Sequence, residues 1–429
     1  MRVVIVGGGI GGLALAHGLL RQDIEVEVHE RDAFAGARWE GYRLDIEEMG
    51  MRALSYCLPS RSWDQFLKIS HTDDGMTWTT EQLNPLLHVG SQVMFAPMGH
   101  LGADRPSVRR LLQFGLDHVL SFGREFVHYE TEPDGQVTAV FADGHRATGD
   151  VLVGADGAGS RVGAQYLPGG EPESTGVVTT VFKVVLDEDS RQWIPPLLTR
   201  GMCIVTSDTP AFGFTAAFDP PALDPDLDIT PYVLIAPAWP VTGPRDDPAG
   251  LSGKDLIKMV GGVIETWHPA LRRMVSDSEP DSNSAVLLRA SPARPPWNPS
   301  PVVLLGDALH TMPPTAGRGA NTALRDAHLL ARRLGDAANG RRNLLSAVGE
   351  YEAEVRDYGA GIVEGSVRRM AGFTSSGRIR VGLNRAFLRT CAALPPLRDK
   401  LFAGPSGHGA VREWERLADL EPLSGKGTS

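Results

Sequence analysis

The feature that most constrains this chain is Gly7-x-Gly9-x-x-Gly12, set between a short apolar run, Val3–Val6, and an apolar helical stretch, Gly11–Arg21. Three glycines in six residues turn the chain sharply and let its bare backbone approach another group closely. The helix that begins there points its positive dipole end at the turn, so a phosphate is stabilised without a basic side chain. Glu25–His29 reads as the next strand and completes a β-α-β unit, and Glu30 ends that strand about twenty residues after the glycines. An acid there accepts hydrogen bonds from ribose hydroxyls. Such a glycine pattern alone is a common turn; the strand, helix and acid around it are what predict a dinucleotide site. They do not choose between NAD and FAD.

A second motif near the other end of the chain makes that choice. Val302–Leu305 reads as a buried strand ending in Gly306-Asp307, followed by His310, Pro313-Pro314 and Gly317-Arg318-Gly319-Ala320-Asn321, which opens a helix running through Arg325-Asp326-Ala327. An Asp at a strand end can bind a ribityl polyol. A glycine-rich helix start can hold negative charge developing at one edge of a flavin ring. Between the two motifs, Gly154-Ala155-Asp156-Gly157 ends the strand Asp150–Val153, with Ser160 and Arg161 beyond it. As a second nucleotide loop it lacks a suitably placed acid.

Composition sets the outer bounds. A formal net charge of −10 argues against a nucleic-acid partner, which needs a basic face. Cys57, Cys203 and Cys391 are isolated, which argues against a disulfide framework or a zinc site and fits a cytoplasmic location. The apolar start, Met1–Leu20, is interrupted by glycines and reads as folded structure rather than a leader, and no run of about 18 apolar residues suggests a membrane span.

The pattern along the chain is mixed. Helical periodicity predicts a helix over Ser107–Leu120, then strands near Arg124–Tyr129 and Val137–Phe141 around the Pro133-Asp134-Gly135 turn. From about 171 to 292 the pattern becomes β-rich: Val177–Leu186, Met202–Thr206, Phe212–Phe218 and Tyr232–Ala236. Helical signal dominates from Asn321 onward, and the tail from Pro422 to Ser429 reads as frayed.

Taken in this order and spacing, the three glycine motifs resemble the class A flavoprotein monooxygenases typified by p-hydroxybenzoate hydroxylase. Gly41-Tyr42-Arg43-Leu44-Asp45-Ile46 after Arg38, and Asp104-Arg105-x-x-Val108-Arg109, resemble the branch of tetracycline-inactivating and aromatic-polyketide hydroxylases. The resemblance implies an α/β plus β fold: a discontinuous, Rossmann-like FAD domain (1–70, 101–170, 293–340), an inserted β-sheet substrate domain (71–100, 171–292) and a C-terminal helical segment (341–429). It implies FAD as cofactor and NADPH or NADH as transient co-substrate. It further implies hydroxylation of an aromatic or polycyclic small molecule with O2 through a flavin C4a-hydroperoxide, in secondary metabolism, by a monomer or homodimer. Carried over by position, Glu30 holds the adenosine ribose and Arg105 the ribityl-phosphate region, with Arg31 and Arg38 as further cofactor contacts. Asp307 binds the ribityl chain or phosphate, Asp156-Gly157 serves FAD and the nicotinamide donor, and Pro314, Gly317, Gly319, Ala320 and Asn321 line the flavin ring. The family's Arg three residues past Ser160 is replaced here by Gly163, with Arg161 the nearest substitute. A chain ending at 429 leaves no room for the thioredoxin-like C-terminal domain of longer relatives.

Bound flavin carries the hard chemistry, so the protein must exclude water and position substrate. Phe212 and Phe214 share one strand face and, with Trp239, are candidates to line an aromatic pocket or simply to fill the sheet's core. His310 is a candidate base or a structural hydrogen-bonder. Three alternatives remain: a flavin halogenase, whose WxWxIP signature is absent around Trp193-Ile194-Pro195; a flavin dehydrogenase or reductase; and a non-catalytic FAD module that sequesters an intermediate.

Overall fold

The first strand, β1 (Arg2–Val6), is apolar and buried along almost its whole length, as the centre of a parallel sheet must be. It lies between β2 (Glu25–His29) and β11 (Val151–Gly154); β17 (Val302–Leu304) and the short β7 (Leu120–Ser121) complete an all-parallel sheet in the order β17-β11-β1-β2-β7. In this computed structural model the described residues are 1–37, 43–95, 99–221, 229–243, 247–374 and 378–403. Arg38, Gly41, Tyr42 and the tail Pro422–Ser429 lie outside them.

The register of this sheet positions everything that follows. Val6 stands level with His29 and with Gly154, and Gly154 with Leu304. The residues immediately beyond, Gly7, Glu30, Ala155 and Leu305, therefore emerge in one row at the carboxyl edge, where parallel sheets bind ligands. The helix Ile10–Leu20 leaves this row and packs against the helix Gly319–Ala338 from the other end of the sequence. A Cβ at Gly18 would lie 2.7 Å from Ala331 Cβ, so the close helix crossing needs glycine there, and one at Gly11 would crowd Ala323 Cβ at 3.2 Å.

A second, seven-stranded sheet has the order β16-β12-β15-β14-β13-β4-β5. Its strands are β4 (Gly75–Thr80), β5 (Pro85–Gly90), β12 (Glu173–Val185), β13 (Met202–Thr206), β14 (Phe212–Phe218), β15 (Tyr232–Pro240) and β16 (Ser284–Ala290), antiparallel except for the β13–β4 pair. Period-two alternation divides its faces. On β15, Val233, Ile235 and Trp239 join the core beneath helices Gly253–Val263 and Pro269–Ser276, while Leu234, Ala236 and Ala238 face a cavity. A two-stranded ribbon, β3 (Arg43–Glu47) with β6 (His100–Asp104), and a three-stranded sheet, β8 (Phe126–Thr131), β9 (Val137–Phe141) and β10 (Arg146–Gly149), complete the β structure among the described residues. Helices Leu344–Phe373, Arg378–Ala393 and Pro395–Phe402 follow, the first packed on Gly319–Ala338 and the second on β5.

The structure thus has the expected α/β plus β architecture, with local corrections. The helix predicted over Ser107–Leu120 is Arg105–Gln113. Asp104 caps its start by accepting the Ser107 N–H at 3.1 Å, and it ends before Gly115, which takes a left-handed φ of +80°. The polar stretch Trp63–His100 contains β4 and the edge strand β5, whose inward residues its overall polarity does not reveal. Cys57 and Cys203 are buried free thiols that burial pushes up to about 12, so neither is poised for redox chemistry. Among the described residues no helix is long and apolar enough to cross a membrane.

One buried acid makes the fold sensitive to pH. Glu352, on the long helix Leu344–Phe373, accepts the Tyr166 hydroxyl at 3.0 Å through Oε1, while Oε2 has no partner. Burial raises its pKa from 4.5 to about 7, against the Tyr166 hydrogen bond. The folded state thus holds this proton more tightly than the unfolded chain, and the associated stability is lost as pH rises from about 4.5 through about 7. Glu352→Gln keeps the acceptor for Tyr166 and removes the charge, so its thermal midpoint should exceed wild type at pH 8 and match it near pH 4.5. Parallel melting curves at the two pH values would contradict this assignment.

Candidate functional site

Gly7 takes φ +113°, and a Cβ there would lie 2.2 Å from the Ala155 carbonyl oxygen, so the loop can pass β11 only with glycine. At Gly12 a Cβ would meet the Gly7 carbonyl oxygen at 2.1 Å. Gly9 differs: nothing lies within 4 Å of its added Cβ, and it starts the helix Ile10–Leu20 with no side-chain cap. The first glycine and the third permit the turn, while the second leaves a bare cradle at an uncapped helix start. A pyrophosphate is the group such a cradle suits.

Glu30 is buried and organises this loop directly. Its Oε2 accepts the Gly8 N–H at 2.8 Å and its Oε1 the Asp32 N–H at 2.9 Å. Arg109 donates through Nε to the Gly8 carbonyl at 2.9 Å, and its Nη2 stands 3.5 Å from Glu30 Oε2. Arg109 therefore braces the loop and the acid together. It was visible in the sequence only as the end of the Asp104–Arg109 motif, because its partners lie about a hundred residues away in the chain. Arg31 is exposed and does not line the cavity.

The cavity has a volume of about 1570 Å³, above the roughly 300–1,000 Å³ of an ordinary ligand pocket. One cavity is bordered by Gly9, Arg105, Gly157 and Asp307, by Pro314, Gly317, Gly319 and Ala320, and by Phe212 and Phe214. Gly317 is left-handed at φ +66°, and Cβ atoms added at Gly157, Gly159 or Gly317 would meet nothing within 4 Å. These bare backbone surfaces along the carboxyl edge fit an extended FAD molecule. Gly9–Gly11 and Arg105 would hold its phosphates, Asp307 its ribityl chain, and the Pro314–Ala320 segment its ring. The helix Gly319–Ala338 begins there without a side-chain cap, leaving its first amides to serve that ring. Trp239 is not part of this lining: at the opposite parity from Ala238, it packs into the core on the other face of the sheet.

Asp307 lies deep in the molecule with an open face on the cavity, and burial pushes its carboxyl up, opposed by His310 and Arg105. Its position depends on Asp326, from the helix Gly319–Ala338. Asp326 Oδ2 accepts the Gly306 N–H at 2.8 Å and meets His310 Nε2 at 2.7 Å, and Oδ1 accepts the Tyr358 hydroxyl. Burial alone would lower the His310 pKa, but the Asp326 carboxylate outweighs it and leaves the value raised. His310 is buried and absent from the cavity wall, so it acts as a structural partner of Asp326 rather than as a base facing substrate.

Two further expected flavin contacts turn out to be braces. Asn321 is fully buried; its Nδ2 donates to the Asp45 carbonyl at 2.7 Å and its Oδ1 accepts the Glu47 N–H at 2.9 Å, which ties β3 to the helix start. Asp156 accepts the Ser160 hydroxyl at 2.5 Å and the Arg161 N–H at 2.8 Å, and so shapes the Gly157–Gly159 loop while its own carboxylate is engaged. Gly163 is tightly enclosed: an added Cβ would lie 3.0 Å from Ser160 Oγ and 3.1 Å from the Ala308 carbonyl, so a longer residue needs both to shift by a few tenths of an ångström. Arg161 does not replace the missing arginine: its guanidinium bonds the Phe126 carbonyl and Glu125.

A buried ion network supports the same wall. Arg43 bridges Asp45 and Asp73, with His100 Nε2 3.3 Å from Asp73 Oδ1, and the Tyr232 hydroxyl donates to Asp104 at 3.0 Å. The ribbon β3–β6 is thereby joined to the seven-stranded sheet, and the Arg43 guanidinium already pairs with both carboxylates of the Asp45-Asp73-His100 cluster.

Comparison with known proteins agrees with this geometry. The model of the FAD binding domain family matches residues 119–366, and that of the NAD(P)-binding Rossmann-like domain matches 5–68. A dual O-methyltransferase/FAD-dependent monooxygenase of Cercospora beticola is 30% identical over 390 residues, covering 82% of this chain and 44% of that protein. The chain thus spans less than half the length of that relative. An FAD-dependent urate hydroxylase of Klebsiella pneumoniae is 25% identical, with 82% of this chain and 85% of that protein covered. A Photorhabdus luminescens structure assigned as an FAD-containing monooxygenase superposes with a TM-score of 0.78 at 31% identity, covering 87% of this chain and 98% of that one.

The Glu30 bonds generate a direct test. Removing a charge-assisted acceptor costs about 1.5–3 kcal/mol, so Glu30→Ala should weaken FAD binding roughly 10- to 150-fold. Titration of apoprotein with FAD measures this, and an unchanged Kd would remove Glu30 from the site.

Proposed function

This chain belongs to the FAD binding domain family, and from that premise we propose that it is an FAD-dependent monooxygenase that uses NADH or NADPH and O2 to hydroxylate an aromatic or polycyclic small molecule. The observation that carries the reading is a shared space: Phe212 and Phe214 of the seven-stranded sheet and the Pro314–Ala320 segment border the same cavity. Relatives named as monooxygenases and as a urate hydroxylase support the same class of reaction.

Bound FAD supplies the redox chemistry, passing reducing equivalents from a nicotinamide donor to oxygen. The chain's own residues do the rest. Gly9–Gly11, Arg105 and Asp307 would bind and orient the cofactor. The amides at the start of the helix Gly319–Ala338 would favour negative charge on the facing ring edge. Met76, Met202, Ile204 and Leu234 join the two phenylalanines in an apolar wall that limits water near the reacting centre. No side chain need act as a covalent nucleophile.

Oxygen uptake by the FAD-loaded protein should be slow with NADH or NADPH alone and rise several-fold on adding a matching phenolic, quinone or indole compound. A product heavier by one oxygen atom in mass analysis is the required companion. Reduction of such compounds without oxygen consumption would instead identify a reductase. Gly317→Val tests the loop, because a side chain there meets left-handed backbone and projects into open cavity. The variant should retain some FAD but release hydrogen peroxide in place of hydroxylated product. Wild-type coupling in Gly317→Val would show that this loop does not cradle the ring.

A further inference from the structure

The cavity carries more positive charge than the cofactor reading uses. Arg289 on β16, Arg369 on the helix Leu344–Phe373 and Arg380 on the helix Arg378–Ala393 all line it. Among the described residues none of these guanidiniums forms an ion pair, whereas Arg43, Arg52, Arg109 and Arg385 each hold a carboxylate. In a chain with 52 acidic residues against 42 basic ones, acidic partners are not scarce. Among the described residues six arginines line the cavity against four carboxylates, an excess of positive groups that favours an anion against the sign of the whole molecule.

Arg369 is the best placed of the three. Ser366, Arg369, Met370 and Phe373 follow helical spacing along one face. At one end of that face the Ser366 carbonyl accepts the Thr315 hydroxyl at 2.7 Å, which fastens the helix to the Pro314–Ala316 turn. At the other end Phe373 packs on Phe212 with ring centroids 5.2 Å apart. Arg369 thus stands between the loop assigned to the flavin ring and the aromatic floor of the chamber. Burial and the neighbouring Arg318 charge lower its pKa, opposed by Glu47. Among the described residues Glu47 forms no ion pair with Arg369, and its Oε2 has no hydrogen-bond partner. The FAD phosphates would have their own partners in the Gly9 cradle and Arg105.

We propose that the chamber takes an aromatic substrate bearing an acidic group, a carboxylate or an ionised phenol or enol, and that Arg369 binds this anion and sets which ring edge faces the flavin. Arg289 and Arg380 draw the anion in. The proposal rests on the monooxygenase reading for making this cavity a substrate chamber. An acidic group fixed at one point in an apolar chamber orients a flat ring system that apolar contacts alone would leave free to rotate.

The test is a binding comparison on the FAD-loaded protein without nicotinamide donor. The probes are paired acids and amides of equal shape: naphthalene-2-carboxylate with naphthalene-2-carboxamide, and anthracene-2-carboxylate with its amide. Calorimetry should show each acid bound about tenfold or more tightly than its amide. Arg369→Gln should bring that ratio within about twofold and leave amide binding and FAD content unchanged, with Arg369→Lys intermediate and Arg380→Gln reducing acid affinity less. Equal binding of acid and amide by wild type, binding of neither, or an intact ratio in Arg369→Gln overturns the proposal. So does a ratio left intact while the variant weakens calorimetric binding of the redox-inert NAD+ or NADP+, which would assign the arginines to the donor's phosphates. If Arg369→Gln loses FAD, the Arg369→Lys and Arg380→Gln ratios decide. Because no turnover is measured, failure of the monooxygenase reading would leave the acid-to-amide ratio standing, and loss of the ratio would leave oxygen insertion untouched.

Discussion

Everything in this molecule depends on the parallel register that sets Val6, His29, Gly154 and Leu304 side by side. A parallel strand pair needs a long connection, so residues that meet at its carboxyl edge come from remote parts of the chain. Here Gly9, Ala155, Gly157 and Asp307, from the loops that follow β1, β11 and β17, border one cavity because those strand ends align. A slip of one residue would reverse every side chain in a strand and bury the wrong set. In β1, apolar and buried on both faces, the register is held instead by the tight pass of Gly7 against the Ala155 carbonyl at the strand end.

Around that edge, buried polar groups perform the fine positioning. Asp326 gathers the Gly306 amide, His310 and Tyr358, while Asn321 joins β3 to the start of the helix Gly319–Ala338. Glu30 and Arg109 act on the Gly8 peptide from its two sides, one accepting its N–H and one donating to its carbonyl. In each case a group that could have touched a ligand is committed to holding backbone that does. The division is physically reasonable: a satisfied buried network is rigid, and a rigid backbone cradle needs no rearrangement when the cofactor enters.

The two sheets have complementary duties. The parallel sheet offers amides and glycines to a charged cofactor. The seven-stranded sheet offers an apolar face, with its other face sealed by Trp239, Trp267 and two helices. The ribbon β3–β6 joins them through Arg43, Asp73 and the Tyr232–Asp104 bond, so the chamber wall and the flavin edge form one supported surface.

How much of this the sequence determined follows from the range of the interactions involved. Gly7, Gly9 and Gly12 with Glu30, and Gly306-Asp307 before the Pro314–Ala320 segment, are local patterns whose turn chemistry and helix starts can be read within a dozen or two residues. They were enough to assign a dinucleotide site, its preference for FAD and the mixed architecture. The faces of strands in the second sheet were partly legible, since Phe212 and Phe214 share a parity. Trp239 was not, because sequence alone cannot say which parity faces the chamber. Tertiary structure alone decided that Asn321 and Asp156 brace the backbone, that His310 belongs to Asp326, that Arg161 points away and that Arg369 lines the cavity with no ion pair among the described residues. Each of those outcomes rests on a partner distant in the chain or on a cavity closed by several elements, and a hydrogen bond or an empty space between remote residues leaves no periodicity to read.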